Sequence, residues 1–276
     1  MKCVLFKLVA QTRLTIVGLL ALAPAALAAQ GSARWWPQRG AVILAGGGLQ
    51  PATADKLVDS QIALAGGPDA RIVIIPTALD GLPSRLPGTE PANVAAVRRH
   101  FASRGAKHVE FLHTSDRRVA NTEAFVAPLK HANVVFITGG RARVVDETYH
   151  GTLVERELKA LLARGGVLGG DSAGAIALGC FWLGWKTNES PFGIVTEGLC
   201  MMPGLTVSPH MRDDPRMAPW LDSIAVYVAA HAGAHPVNVW EDTFVIIHND
   251  TAKVVGAGKA MIGKEKLAAG QVLGLR

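Results

Sequence analysis

Gly169-Gly170-Asp171-Ser172-Ala173-Gly174-Ala175 is the stretch on which the fold turns. The apolar run Gly166-Val167-Leu168 precedes it and Ile176-Ala177-Leu178 follows, which predicts a strand, a sharp turn and a helix. Within it, Gly170-x-Ser172-x-Gly174 has the form of a nucleophile elbow, in which a serine stands at the tip of a strained strand-to-helix turn. Small residues are needed on both sides because larger side chains would collide with the neighbouring strand and helix. The amides that open the helix suit a developing oxyanion. A tight Gly-rich turn with an incidental serine competes with this reading, so the rest of the chain has to decide.

From Gly40 onward strands and helices alternate, the pattern of a mostly parallel sheet covered on both faces. Ala41–Ala45, Arg71–Ile75, His108–Leu112 and Asn133–Ile137 are predicted strands, with helices over 53–65, 93–104, 121–130 and 143–164. The last is amphipathic, with Leu153, Leu158, Leu161 and Leu162 apolar among charges. Residues 79–91 form a Pro/Gly-rich loop placed to overhang a site. Past Cys180 the pattern loosens to Leu205-Thr206-Val207, a helix near 215–231, and β-like runs at Val237–Trp240, Thr243–His248 and Lys253–Val255. Three strands end in small turns, Gly46–Gly48, Thr138–Gly140 and Gly169–Gly174, and open α/β sheets bind ligands at the carboxyl ends of their strands. Neither G-x-G-x-x-G nor G-x-x-x-x-G-K-[ST] occurs at these turns, so they read as tight turns rather than phosphate cradles.

Residues 1–28 have the form of a secretory signal peptide. Lys2, Lys7 and Arg13 occur without an acidic residue, the apolar run Leu14–Ala23 follows, and Ala26-Leu27-Ala28 gives an A-x-A cleavage pattern. An uncleaved anchor is the alternative, although a bilayer span normally takes about twenty apolar residues. The expectation is a secreted or periplasmic protein, free of the membrane after cleavage, with residues 29–276 as one domain. Cleavage removes three positive charges, so the formal net charge of +6 falls to +3. With no basic run or stacking-aromatic pattern, nucleic acid is not an expected partner. Cys180 and Cys200 remain; an oxidising compartment would let them pair, and two buried free thiols are the other possibility.

A serine nucleophile needs a general base, and the base needs a third group to fix its tautomer. All nine histidines lie beyond residue 28. His100, His108 and His131 fall at helix ends or a strand start. His231 and His235 have the i, i+4 spacing of a metal pair, but Gly233 and Pro236 weaken that helix and no third ligand is evident, so no metal or other cofactor is expected. His210, in Ser208-Pro209-His210, is expected in a loop after the strand 205–207, on the presumed active face. Asp213, Asp214, Glu241 and Asp242 are candidate acids, with Glu241-Asp242-Thr243 between two β-like runs. Cys180 lies eight residues past Ser172, about 12 Å along a helix, which argues against it as a thiol nucleophile.

Several segments together resemble the cyanophycinase and α-aspartyl dipeptidase family of serine exopeptidases. They are Ile74-Ile75-Pro76-Thr77-Ala78, Phe136-Ile137-Thr138-Gly139-Gly140, the elbow itself, Gly198-Leu199-Cys200-Met201-Met202-Pro203-Gly204-Leu205, His210, and Glu241-Asp242-Thr243, in family order. The resemblance implies a three-layer αβα sandwich, flavodoxin-like and related to class I glutamine amidotransferases. It implies Ser172 as nucleophile, His210 as base and Glu241 as orienter, with the amides of Ala173 and Gly140 as oxyanion hole. It also admits a homodimer. The chain departs from the family where substrate is read. Arg141-Ala142-Arg143 follows Thr-Gly-Gly in place of a pair ending in Gln, Ser208-Pro209 replaces Asp-Gln before the histidine, and of the spaced arginines downstream only Arg216 remains, with Asp214 and Pro219 at two such places. Arg141 and Arg216 are therefore the candidate anchors for a substrate carboxylate. The expected activity is hydrolysis of short peptides or aspartyl-type isopeptides through an acyl-enzyme, and the alternative is a non-catalytic peptide-binding protein on the same fold.

Overall fold

Nearly every side chain of the apolar runs flanking the Gly-rich turns is buried, on whichever face of the strand it lies. A computed structural model of the chain describes residues 34–80, 92–184, 193–196, 198–230 and 233–276. The signal peptide expected over 1–28 and most of the loop expected over 79–91 lie outside the described residues.

In chain order, β1 (Ala41–Ala45) leads to α1 (Pro51–Leu64), β2 (Arg71–Ile75) to α2 (Ala92–Ser103), and β3 (His108–Phe111) to α3 (Arg117–Ala120) and α4 (Glu123–His131). β4 (Val134–Ile137) leads to α5 (Ala142–Tyr149) and α6 (Leu153–Ala163), and β5 (Val167–Asp171) turns through Ser172 into α7 (Ala173–Ala177). Then come β6 (Phe181–Gly184), β7 (Gly193–Thr196), β8 (Leu205–Met211), α8 (Ala218–Ala230) and β9 (His235–Trp240). The chain closes with β10 (Thr243–His248), β11 (Thr251–Gly256), β12 (Lys259–Ile262), β13 (Glu265–Ala268) and β14 (Val272–Gly274).

The main sheet has the order β14-β11-β10-β1-β5-β4-β2-β3. From β1 to β3 every pairing is parallel; β10, β11 and β14 join antiparallel at the other edge. Buried on both faces, the parallel strands are apolar without interruption, and the two-residue period divides their side chains between two cores. Val42, Leu44, Val73, Ile75, Val135, Ile137 and Leu168 pack with residues of α4 to α7. Ala41, Ile43, Ile72, Ile74, Val134, Phe136 and Val167 pack with α1 and α2. The fold is thus the three-layer αβα sandwich around a mostly parallel sheet.

One part of an outer layer is itself a sheet. Strands β13-β12-β9-β8-β6-β7 form a second, mixed sheet. Its Val207, Val237, Val239, Ala260 and Ile262 share a core with Val245, Ile247, Ala252 and Val254 of β10 and β11. The antiparallel half of the main sheet is therefore covered by strands where the parallel half is covered by helices.

One expectation is corrected, and two open readings are resolved. The single helix over 143–164 is two helices, because Gly151 at φ +68° ends the first and Thr152 opens the second. There the Gly151 amide donates to Glu155 at 2.5 Å. His235 opens β9 and stacks on Trp35 with ring centroids 4.8 Å apart, so it is not on a helix with His231, which lies outside the described residues. Cys180 and Cys200 form a disulfide, which joins the segment leaving α7 to the segment entering β8.

The glycines of the elbow are explained by contact. A Cβ on Gly170 would lie 2.5 Å from the backbone of Gly174, and one on Gly174 would lie 2.2 Å from the Ile137 carbonyl oxygen. Gly174→Ala is expected to destabilise the protein by about 1–3 kcal/mol. Gly274→Ala, where a Cβ meets nothing within 4 Å, is expected to change stability by less than about 0.5 kcal/mol. Urea unfolding of the two variants checks this, and equal midpoints would contradict the packing account.

Candidate active site

β1 runs beside β5 on one side and β10 on the other, and its end supplies three consecutive carbonyls. Ala45 O accepts from the Ser172 amide at 3.1 Å, Gly46 O from the His210 amide at 2.8 Å, and Gly47 O from the Asp242 amide at 3.0 Å. Residues from the elbow, from β8 and from the β9–β10 turn thus meet at one strand end.

His210 lies within β8 rather than in a loop after it. The β8–β9 register shifts between Ser208 and Met211, and His210 sits in that irregularity at φ +58°. A bulge re-aims a side chain that regular pleating would point elsewhere. Ser172 and Asp242 also have positive φ, both +52°, so three of the six such non-glycine residues among those described meet here. Such strain persists only where the surroundings over-determine it, and it gathers at functional sites.

Ser172 Oγ is 2.7 Å from His210 Nε2, and His210 Nδ1 is 3.1 Å from Glu241 Oε1. An ionised carboxylate only accepts, so Nδ1 carries the imidazole proton and a neutral ring leaves Nε2 bare to accept from the serine hydroxyl. Gly46-Gly47-Gly48 makes the room. A Cβ on Gly47, which has φ +81°, would stand 2.3 Å from His210 Cε1, and one on Gly48 would stand 3.4 Å from Glu241 Cδ. Asp242, the other candidate acid of this turn, instead accepts from the Gln50 amide at 2.8 Å, ahead of α1.

Two residues with no role in the reading of the sequence, Arg212 and Asp171, stand in the site. The Arg212 guanidinium donates to Glu241 Oε1 at 2.6 Å. That contact, more than the one from His210, holds the Glu241 carboxyl below the usual glutamate range against the opposing effect of its partial burial. Because the pKa is depressed in the folded state, the stability linked to it is present above the ordinary glutamate range and lost as pH falls through the depressed value. Asp171, immediately before the serine, is shifted the other way. Burial pushes its carboxyl up, only partly offset by His210 and by the amides of Gly47 and Ser172. Its Oδ1 is buried without a hydrogen-bond partner among the described residues. Its ionisation therefore opposes folding, and the associated stability declines as pH rises through the raised pKa.

The turn after β4 closes the other side. A Cβ on Gly139 would sit 3.1 Å from Ser172 Cβ, and Gly140 at φ +143° is pressed on Ala78, whose carbonyl accepts from the Arg141 amide at 2.8 Å. Ala173, the first residue of α7, is buried beside the serine. The two candidate anchors are engaged elsewhere. Arg141 donates to the Asp80 carbonyl, and the exposed Arg216 is bound to Asp214 through its amide at 2.9 Å and through its guanidinium. Neither touches Ser172, His210 or Glu241 among the described contacts. No group of three His, Cys, Asp or Glu side chains among the described residues is spaced to hold a metal ion.

Residues 41–255 match Peptidase family S51. The chain belongs to that family. Among curated proteins it is 28% identical over 231 residues to cyanophycinases of Synechococcus elongatus and Thermosynechococcus vestitus, covering 81% of this chain and 68% of each of theirs. It is 27% identical to the cyanophycinase of Geminocystis herdmanii over 230 residues, or 81% of this chain and 80% of that one. Among solved structures, that of a peptidase from an acI-B1 Actinobacterium superposes with a TM-score of 0.67 at 25% identity, covering 86% of this chain and 97% of the other. A putative peptidase E from Listeria monocytogenes shares the fold, with a TM-score of 0.52 at 15% identity over 79% of this chain and 98% of its own. This S51 chain is thus a cyanophycinase-like peptidase, and its glycines at the end of β1 are where its candidate histidine and glutamate rest.

Gly47→Ala tests that packing. It places a methyl group in the His210 ring and demands positive φ of alanine, so peptidase activity is expected to fall by at least about 100-fold, as displacement of a reacting group by 1 Å does. Activity measured at matched folded fractions checks this; near-normal turnover would show that the imidazole does not depend on the glycine turn.

Proposed function

We propose that this S51 member is an exported serine peptidase that cleaves short peptides or aspartyl-type isopeptides through Ser172, His210 and Glu241. The observation that carries the proposal is the continuous chain from Ser172 Oγ to His210 Nε2 at 2.7 Å and from His210 Nδ1 to Glu241 Oε1 at 3.1 Å. The strained backbone at Ser172 supports it, as does the named activity of the cyanophycinases to which the chain is similar.

In the first half-reaction Ser172 Oγ attacks the scissile carbonyl carbon while its proton passes to His210 Nε2. Glu241 stabilises the imidazolium so formed. The amides of Ala173 and Gly140 receive the oxyanion of the tetrahedral intermediate. Its collapse breaks the C–N bond, and the leaving amine takes the proton from Nε2. A water molecule then gives its proton to His210 and attacks the acyl ester, and the second collapse frees the carboxylic acid and returns the proton to Ser172. No step requires a metal or an organic cofactor.

The Cys180–Cys200 disulfide supports export, because such bonds persist in oxidising compartments. The alternative of a binding protein without turnover is motivated by the changed residues at Arg141, Ser208-Pro209 and Asp214. A library of dipeptides and aspartyl isopeptides, incubated with wild type and Ser172→Ala, separates the two. Hydrolysis by wild type that falls about 10,000-fold or more in the variant is expected. Equal hydrolysis by both would refute Ser172 as nucleophile, and tight binding without hydrolysis by either would favour the binding protein.

A further inference from the structure

We propose that Arg212 is a positioning residue for Glu241, a fourth member that fixes the orienting carboxylate against His210. The inference rests on the serine-peptidase reading of the same site. Glu241 Oε1 receives two donors, His210 Nδ1–H at 3.1 Å and Arg212 Nη2–H at 2.6 Å. The shorter contact joins two ionised groups and is the stronger of the two. Glu241 sits at a turn, and its two-methylene stem would otherwise let the carboxylate swing away from the ring.

Arg212 is brought there by backbone. Met211 of β8 is in register with Trp240 of β9, and the Met211 carbonyl accepts from the Glu241 amide at 3.1 Å. The residue after Met211 therefore leaves the strand pair next to Glu241. The two acids that follow Arg212 in sequence have other partners. Asp213 accepts from Lys259 Nζ at 2.5 Å and from Trp240 Nε1 at 3.1 Å, and Asp214 holds Arg216. Among the described residues, Glu241 is the one carboxylate in ion-pair contact with Arg212.

Fold stability does not account for the pair. The Arg212 side chain is 60% exposed and that of Glu241 30% exposed, and ion pairs of that exposure contribute little. Its effect lies in geometry. A fixed, ionised Glu241 keeps the proton on Nδ1 and leaves Nε2 free to accept from Ser172. The other charged groups around this centre are Asp171 from β5, Asp242 from the β9–β10 turn, and Asp214 and Arg216 beyond Arg212. None of these other groups donates to Glu241.

Inactivation by diisopropyl fluorophosphate measures this without a known substrate. Ser172 Oγ bonds to phosphorus, the P–F bond breaks, fluoride leaves, and His210 takes the serine proton. Wild type, Arg212→Ala, Arg212→Lys and Ser172→Ala are compared from pH 5 to pH 9, with the maximal inactivation rate separated from the half-saturating reagent concentration. Arg212→Ala is expected to lower the maximal rate between about 10- and 100-fold at unchanged half-saturation, and to move the acid limb of the profile to higher pH. Arg212→Lys is expected to restore most of both. An Arg212→Ala rate and pH profile like wild type would overturn the inference alone, as would a change confined to half-saturation, which marks an anchor for the reagent. Wild type that does not react, or Ser172→Ala that reacts equally, would overturn the serine-peptidase reading beneath it.

Discussion

Three successive backbone carbonyls, of Ala45, Gly46 and Gly47, hold the Ser172, His210 and Asp242 amides. Everything else about the site follows from where those carbonyls point. β1 is an interior strand of the main sheet, buried along its whole length and hydrogen-bonded on both sides. Its end is therefore among the parts of the molecule least free to move. Each of the three residues it grips has positive φ, a conformation that a side-chain-bearing residue keeps only when its surroundings enforce it. The grip on the backbone is what lets the strain persist.

Glycine is the second requirement, and it acts through space as much as through flexibility. The imidazole of His210 occupies the volume that a side chain at Gly47 would fill, and α7 packs directly on β5 because Gly170 has no Cβ and on the end of β4 because Gly174 has none. The disulfide between Cys180 and Cys200 acts on the same arrangement from farther away. It ties the chain leaving the serine's helix to the chain entering the histidine's strand.

Much of the fold was legible in the sequence because strands buried on both faces leave continuous apolar runs, as at Ala41–Ala45 and Val134–Ile137. The second sheet was not, since β12 and β13 are four residues long and mix polar with apolar positions. The break at Gly151-Thr152 was marked by a glycine followed by a helix-opening threonine, but the leucine pattern runs across it and hid it. Ser172 was visible because an elbow demands small neighbours on both sides. Strand-end placement makes His210 a candidate base and Glu241 one of four candidate acids; the family resemblance singles them out, since spacing alone does not distinguish Glu241 from Asp242. Arg212 left no mark at all, because an arginine's partner is set by the β8–β9 register, which one-dimensional pattern does not carry. In the sequence Gly46–Gly48 reads as a tight turn; its packing against the histidine exists only once β1 and β8 are brought together.

Substrate choice is a separate matter from this scaffold. Arg141 and Arg216, the anchors suggested by sequence, are both turned to contacts of their own, whereas the strained backbone at Ser172 sets its hydroxyl against His210. The proposed chemistry depends most directly on the Ser172 hydroxyl. Peptide mapping by mass spectrometry after complete inactivation with a fluorophosphonate should find one adduct per chain, on the peptide that carries Ser172. An adduct on another residue, or full reaction with Ser172 unmodified, would contradict it.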